Sequence, residues 1–232
     1  MNQQQIRPIG AMNNKLNNSI RLLLLIFFCI LFSCATNPKG QPRPGEARAY
    51  FNLGYDFALK GEFDQAISDY TRAVEINPNY VDAYNNRGLA YASTGQYDNA
   101  ISDYTKALKI NPKYVEAYNN RGNAYLNKGK YDNAISDYNK MLKIDTEYAA
   151  GYHNRGVAYL AKDQYDHAIS DFSKAIQIIP WFGSAYFNRA RAYYLKRNYD
   201  RSWDDVKRAQ EVGYQIPAEF IDDLRKAFGK KE

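Results

Sequence analysis

The chain is short of the residues that most often hold metal ions or form disulfides. It contains two cysteines and two histidines among 232 residues. His153 and His167 fall on different predicted helices, and neither has a cysteine or carboxylate partner at metal-ligand spacing. A glycine-rich phosphate loop and a nucleophile elbow are also missing from the sequence. We therefore expect a non-catalytic protein with no metal site and no cofactor.

The first 33 residues lack acidic side chains altogether. They contain Arg7, Lys15 and Arg21, followed by an uninterrupted apolar run from Leu22 to Phe32. A transmembrane helix needs about 20 apolar residues, so this run is too short to span a bilayer. A basic start followed by a short apolar run is typical of a secretory signal. The sequence predicts that residues 1–33 are a signal peptide.

Half of the net positive charge of the chain comes from this segment. Residues 1–33 hold three of the 31 basic residues and none of the 25 acidic residues. The remainder lacks the charge excess of a nucleic-acid-binding protein, so we expect no nucleic-acid partner. Because Cys29 lies in the predicted signal, Cys34 is left alone and a structural disulfide is excluded. Residues 34–46 are rich in proline and glycine, which predicts a flexible tether.

A segment that recurs every 34 residues dominates the rest of the chain. The copies are residues 47–80, 81–114, 115–148, 149–182 and 183–216. Aromatic residues recur at positions 4, 11 and 24 of the unit, and small residues recur at positions 8, 20 and 27. Spacings of three and four place these residues on one face of each of two helices. Recurrent glycines and prolines punctuate the helices: Gly61, Gly95, Gly129, Pro78, Pro112 and Pro180.

This pattern resembles the tetratricopeptide repeat. The resemblance implies an all-α fold, an α-solenoid that winds as a right-handed superhelix of five helix-turn-helix units. A single unit cannot bury both of its apolar stripes, whereas a stack of units can. Residues 217–232 follow as a predicted capping helix and tail, with one apolar face formed by Phe220, Ile221, Leu224, Ala227 and Phe228.

The end of the predicted signal resembles the lipobox of bacterial lipoproteins. Leu31 lies three residues before Cys34, Ser33 directly precedes the cysteine, and Ala35 follows it. Phe32 departs from the family pattern. The resemblance implies lipidation of Cys34 and a lipid-anchored protein of the bacterial cell envelope, facing the periplasm or the exterior. More than one acyl chain is needed for stable anchoring. The alternative is an ordinary signal peptide in which the cysteine is incidental.

The resemblance also implies that positions 2, 5, 6, 9, 12 and 13 line a concave groove. Position 6 is asparagine in all five units, and an asparagine side chain can both donate to and accept from a peptide amide. This resembles the asparagine ladder with which some tetratricopeptide superhelices hold an extended peptide. The candidate groove residues are Asn52, Asn85, Asn86, Leu89, Asn119, Asn120, Asn123, His153, Asn154, Asn188 and Arg191. Alternatively, duplication copied the asparagines, or they serve the interface between helices.

Repeats 2 and 3 differ at several of the positions where a specificity surface is expected. Repeats 2 and 3 match at 23 of 34 positions, and four of the 11 differences fall at groove positions 2, 9, 12 and 13. The asparagine stays constant while its neighbours vary. Such a pattern is expected if the asparagines bind the main chain of any peptide and the variable neighbours contact its side chains.

Charged residues recur in register as well. Four repeats have arginine at position 7, and all five have aspartate at position 23. We expect structural ion pairs among Arg87, Arg121, Arg155, Arg189, Asp69, Asp103, Asp137 and Asp171. Pairing with the preceding repeat would leave Asp205 over, and pairing within a repeat would leave Asp69 over; the sequence does not choose. Met141, Thr146 and Gly151 depart from the repeat close together, which predicts a bend between repeats 3 and 4.

These patterns favour a lipid-anchored scaffold that binds an extended peptide or partner protein in its groove. Its expected role is the assembly or regulation of an envelope complex. The alternative is a self-assembling structural protein of the envelope with no peptide ligand. A homo-oligomer is compatible with either function.

Overall fold

A computed structural model describes residues 45–229, and its helices follow the two predicted stripes of each repeat. This range holds eleven α-helices and no strand. The helices are α1 (Glu46–Leu59), α2 (Phe63–Ile76), α3 (Val81–Ser93), α4 (Tyr97–Ile110), α5 (Val115–Asn127), α6 (Tyr131–Ile144), α7 (Ala149–Ala161), α8 (Tyr165–Ile178), α9 (Gly183–Leu195), α10 (Tyr199–Glu211) and α11 (Ala218–Phe228). The predicted signal, Cys34 and nearly all of the predicted tether lie outside the described residues.

From Ala47 onward the described chain forms one compact unit. From α2 to α11 each helix packs against the next one, and the first helices α3, α5, α7 and α9 also contact one another in sequence. This is the all-α solenoid that the 34-residue period predicts. None of the helices in residues 45–229 has the length and apolarity needed to cross a bilayer.

The turns inside the repeats need a residue with left-handed backbone geometry. Gly61, Gly95 and Gly129 take φ angles of 78°, 76° and 69°, as expected for the glycine that follows a helix. Asp163 and Arg197 occupy the same place in repeats 4 and 5, with φ angles of 57° and 58°. The turn therefore persists where glycine is absent, at the roughly 1–2 kcal/mol cost of a side chain in this region.

A glycine of the first helix meets an aromatic ring of the second helix in each of the first four repeats. A Cβ atom on Gly88 would lie 2.6 Å from Tyr104 Cε1, and one on Gly122 would lie 2.6 Å from Tyr138 Cε1. These rings are at most 1% exposed, so they have no room to withdraw. Repeat 5 has alanine at this place, and its partner Val206 is smaller than a ring. The two positions vary together because they share one volume.

The junction between repeats 3 and 4 contains another matched pair. Met141 stands where repeat 2 has Ala107, and its side chain is fully buried. The methyl Cε of Met141 occupies the space that a Cβ on Gly151 would need. The two departures from the repeat thus compensate for each other in volume. Packing explains this pair of residues, and the bend between repeats 3 and 4 stays a prediction.

The last repeat is closed by α11. Leu224 is fully buried against Ala190 and Val206. The ring of Phe220 lies edge-on to Phe187, with 5.4 Å between the ring centroids. Phe228, which we placed on the same apolar face, remains 37% exposed. Helix α11 therefore covers the apolar end of the stack.

Candidate binding groove

One asparagine projects from each first helix at position 6, and we call these five residues the Asn row. Its members are Asn52 on α1, Asn86 on α3, Asn120 on α5, Asn154 on α7 and Asn188 on α9. Asn52 is exposed and the other four are half-buried. The hydrogen bonds of these side chains divide the row into two parts.

In the C-terminal part of the row, each asparagine bonds to position 5 of the repeat before it. Asn120 Nδ2 donates to Asn85 Oδ1 at 3.1 Å, and Asn154 Nδ2 donates to Asn119 Oδ1 at 3.1 Å. Asn188 Nδ2 lies 3.0 Å from His153 Nε2, which accepts in the neutral ring. These bonds join α3 to α5, α5 to α7 and α7 to α9. This part of the row therefore serves the interface between repeats, as our alternative interpretation expected.

Asn154 is the most fully bonded member of the row. Its Nδ2 also donates to Asn123 Oδ1 at 3.2 Å, and its Oδ1 accepts from His153 Nδ1 at 3.2 Å. Asn123 in turn accepts a 2.6 Å hydrogen bond from the hydroxyl of the buried Tyr138. With both amide hydrogens in use, Asn154 has little left to offer a ligand.

The N-terminal part of the row is different. Within residues 45–229, the side-chain amides of Asn52 and Asn86 make no hydrogen bond. Position 5 of repeat 1 is Phe51, which provides no acceptor for Asn86. The Phe51 ring packs against Tyr80 instead, with 5.0 Å between the centroids. Asn52 and Asn86 thus keep both donor and acceptor for another molecule.

Large apolar side chains are exposed on the same two first helices. Tyr55 is 48% exposed, Leu59 is 70% exposed and Leu89 is 41% exposed. They occupy groove positions 9 and 13 of repeat 1 and position 9 of repeat 2. Amides free to bind, together with exposed apolar side chains, are the two components that recognition of an extended peptide requires.

Three other candidate groove residues take part in the hydrogen bonds of the Asn row. Asn85 is only 5% exposed and its Oδ1 accepts from Asn120, so it supports the row and little of its side chain is open to a ligand. Arg191 is exposed and donates to Asn188 Oδ1 at 3.3 Å. Asn119 is half-buried and accepts from Asn154.

His153 is the titratable group within this network. Its ring stacks on Phe182 with 5.0 Å between centroids and tilts against Phe172 at 5.7 Å. Burial lowers the pKa of His153 below its usual 6.5, and hydrogen bonds with the Asn154 side chain and the Ser184 backbone oppose this shift. The neutral ring, with its proton on Nδ1, satisfies both Asn154 and Asn188.

The arginines of position 7 pair with the aspartate of their own repeat. Arg87 Nε donates to Asp103 Oδ2 at 2.6 Å, and its Nη2 donates to Asp103 Oδ1 at 2.8 Å. Its Nη1 donates to Thr71 Oγ1 of the preceding repeat at 2.9 Å. The same three-way contact recurs in repeats 3, 4 and 5, through Arg121 with Asp137, Arg155 with Asp171 and Arg189 with Asp205. Each arginine thereby joins both helices of its repeat to the second helix before it.

Asp69 differs from our predicted set of ion pairs. Repeat 1 has Leu53 where the other repeats have arginine. Among the residues that the structure describes, none forms an ion pair or hydrogen bond with the Asp69 carboxylate. Burial raises the pKa of Asp69 above its ordinary value.

A second ladder of ion pairs, which we did not predict, runs along the turns. Lys128 contacts Asp98, and the same pairing recurs as Lys162 with Asp132 and Lys196 with Asp166. Each pair joins position 14 of one repeat to position 18 of the repeat before it. The aspartate side chains are 80–82% exposed. The recurrence of lysine and aspartate at these positions was visible in the sequence.

The described residues offer little for metal chemistry. Within residues 45–229, no three His, Cys, Asp or Glu side chains are grouped so that they could hold a metal ion. The two ladders of ion pairs take up seven of the aspartates of the repeats.

Two protein-family models match the repeat units of this chain. A model described as tetratricopeptide repeat matches residues 81–114, 115–148 and 149–182, the same bounds as our repeats 2, 3 and 4. A second model, described as TPR repeat, matches residues 54–95. The search of curated protein sequences gave no match.

Several solved structures share the fold. A MamA protein is 27% identical, with a TM-score of 0.68 over 75% of this chain and 99% of that chain. PilF of Pseudomonas aeruginosa is 22% identical, with a TM-score of 0.69 over 80% of this chain and 86% of that chain. YrrB, a TPR protein with an unusual peptide-binding site, is 18% identical, with a TM-score of 0.61 over 71% of this chain and 84% of that chain. At these identities the last two show likeness of fold alone.

Proposed function

Because this chain belongs to the tetratricopeptide repeat family, we propose that it is a non-catalytic scaffold that binds an extended peptide or partner protein. The tetratricopeptide fold is generally non-catalytic and serves protein-protein interaction. YrrB shows that a protein of this fold can carry a peptide-binding site. The ligand binds at the N-terminal part of the groove.

The main support for this site is the side-chain amide of Asn86, which makes no hydrogen bond within residues 45–229. The peptide main chain pairs with the amides of Asn86 and Asn52, which are the members of the Asn row without a partner among residues 45–229. Each such hydrogen bond contributes about 1 kcal/mol, so several are needed together. A large apolar side chain of the peptide lies against Tyr55, Leu59 and Leu89, which are between 41% and 70% exposed. This contact sets which peptides bind.

The scaffold is attached to a membrane in this proposal. Lipid on Cys34 anchors the chain in the bacterial cell envelope, and residues 34–46 tether the repeats to it. The repeats then hold a partner protein during the assembly or regulation of an envelope complex. Replacing Cys34 with serine is expected to abolish incorporation of labelled palmitate and to release the protein from membranes. Retention of the label in the Cys34→Ser variant would contradict the lipid anchor.

Photo-crosslinking in cells tests the peptide site. A photoreactive amino acid replaces Leu89, and the captured protein is identified by mass spectrometry. We expect Asn86→Ala to reduce capture about fivefold or more, because roughly 1 kcal/mol is lost with the hydrogen bond. Its thermal midpoint is expected to stay unchanged, since Asn86 makes no hydrogen bond within residues 45–229.

Asn133→Ala is the matched control. Asn133 is an exposed asparagine at the start of a second helix, away from the groove positions. Its replacement is expected to leave capture unchanged. Equal capture by wild type, Asn86→Ala and Asn133→Ala would refute the role of the amide.

The bonded part of the Asn row supports the alternative function. There the asparagines hold repeat to repeat, as in a protein whose inner face is structural and whose contacts lie elsewhere. A self-assembling envelope protein would show an apparent mass that rises with concentration in light scattering of the detergent-solubilised chain. A constant monomer mass would exclude this alternative.

A further inference from the structure

Repeat 1 keeps most of an arginine-binding arrangement but lacks its own arginine. The arrangement consists of an aspartate at position 23 and a tyrosine at position 4, between which the guanidinium of position 7 lies. In repeat 1, Asp69 is the aspartate at position 23 and Tyr50 is the tyrosine at position 4. Position 7 is Leu53 instead of arginine.

The four complete copies show what this arrangement binds. In each, the guanidinium donates two hydrogen bonds to one carboxylate, at 2.6 to 2.8 Å. The guanidinium carbon also lies 5.5–5.8 Å from the centroid of the position 4 tyrosine. Both contacts match the planar, forked guanidinium better than an ammonium group.

In repeat 1 the corresponding side chains line an open cavity of about 370 Å³. Its walls are Tyr50, Ser68, Asp69, Thr71, Arg72 and Glu75. Arg72 pairs with Glu75 at 3.0 Å on the rim, so the charge of one offsets the other and Asp69 leaves the lining net negative. Repeat 1 is the first repeat of the described stack, and the site opens to solvent.

We propose that this cavity is a guanidinium site that receives an arginine side chain from a bound partner protein. The arginine pairs with the Asp69 carboxylate through two hydrogen bonds and covers the ring of Tyr50. The partly buried carboxylate, which has no partner among residues 45–229, gains one. The raised pKa of Asp69 agrees with a carboxylate that has lost water without gaining a cation. The site uses positions outside the groove and is independent of the proposed peptide site.

Titration of the isotope-labelled full chain with N-acetyl-L-arginine amide, followed by NMR, tests the proposal. We expect saturable shift changes at the amides of residues 68–75 and weaker changes with the lysine analogue. Asp69→Asn is expected to weaken binding about tenfold, as a charge-assisted hydrogen-bond pair is replaced by a neutral one. Asn86→Ala is expected to bind the probe as wild type does, so failure of the groove proposal would be seen separately.

Leu53→Arg supplies the decisive comparison. This variant restores the residue found at position 7 of the other four repeats, so the fold accommodates it. Its own guanidinium is expected to occupy the site, to raise the thermal midpoint and to abolish the shift changes. Undiminished probe binding in both Leu53→Arg and Asp69→Asn, or no binding to the wild-type chain, would overturn the proposal.

Discussion

At the scale of single residues, burial separates two aspartates that both pair with a cation. Asp137 receives two hydrogen bonds from Arg121, and its side chain is 3% exposed. Asp98 pairs with Lys128 and is 80% exposed. Losing a buried partner leaves an uncompensated charge, whereas an exposed pair is screened by water. The two ladders of ion pairs therefore contribute very differently to stability.

Replacing each aspartate with alanine measures this difference. We expect Asp137→Ala to lower the free energy of unfolding by about 3 kcal/mol, because Arg121 stays buried without its carboxylate. Asp98→Ala is expected to change it far less, because water screens the exposed pair. Urea denaturation followed by circular dichroism compares the two variants. Equal losses of unfolding free energy would show that the Arg–Asp pairs contribute no more to stability than the Lys–Asp pairs.

His153 gives the Asn row a dependence on pH. In the folded state burial lowers its pKa below 6.5, so the unfolded chain takes up a proton at a higher pH than the folded chain does. Because the unfolded state then binds more protons, stability falls as the pH drops below about 6.5 and continues to fall toward the lowered pKa. Protonation also places a second N–H donor against the Nδ2 donor of Asn188.

The variant His153→Asn tests this dependence. Repeats 2 and 3 have asparagine at this position, so the variant keeps an acceptor for Asn188 and loses the titrating group. We expect the loss of stability between about pH 7.5 and pH 5.5 to be smaller in the variant than in wild type. Urea midpoints at several pH values measure it. If the urea midpoints of both chains change with pH in the same way, His153 is not the cause of the pH dependence.

At the scale of helices, the contact between α6 and α7 depends on two residues that fit only as a pair. Met141 fills the space beside Gly151, whereas the preceding junction has Ala107 and Ala117 at the same two positions. Gly151→Ala gains about 1 kcal/mol in helix propensity but forces its methyl group against a buried side chain. The balance between the two effects is decided by residue 141.

A double-mutant cycle resolves this balance. Gly151→Ala alone is expected to be neutral or destabilising, and Met141→Ala alone to cost about 2–4 kcal/mol through the cavity that it leaves. In the Met141→Ala background, Gly151→Ala is expected to stabilise by about 1 kcal/mol. The interaction energy is then about 1–3 kcal/mol. Strict additivity of the two substitutions would contradict the shared volume.

These elements also show what the sequence could predict. The period and the apolar stripes predict the helices of the repeats well, because helix formation depends on local spacing and on punctuating residues. The partner of each arginine was not predictable, since an aspartate of its own repeat and one of the preceding repeat are compatible with the same pattern. The hydrogen bonds of the Asn row join position 6 of one repeat to position 5 of the repeat before it, and this contact between helices leaves no signature in a single helix. Once the pairing is known, Phe51 at position 5 of repeat 1 explains why Asn86 has no acceptor.

At the scale of the whole molecule, the two ends of the described stack differ in chemistry. The N-terminal end carries exposed apolar side chains, unbonded amides and the carboxylate of Asp69. The C-terminal end is closed by α11, which buries Leu224 and packs Phe220 against Phe187. In a solenoid, each repeat is stabilised mainly by its neighbours, so an uncovered end has fewer stabilising contacts. Both proposed binding sites therefore lie at the end without a described cap.

Removal of α11 tests this asymmetry. Ending the chain after Ile216 exposes the apolar surface around Ala190 and Val206 that Leu224 now covers. Burial of a leucine side chain contributes about 2 kcal/mol, so we expect loss of the helix to lower stability by several kcal/mol. The exposed surface is also expected to make the truncated chain self-associate. Light scattering at several concentrations, together with thermal unfolding, measures both effects.

Leu224→Asp in the full chain is the matched variant, because it keeps the helix in the sequence and removes its apolar contact. A truncated chain that stays monomeric, with an unchanged thermal midpoint, would show that α11 does not act as a cap.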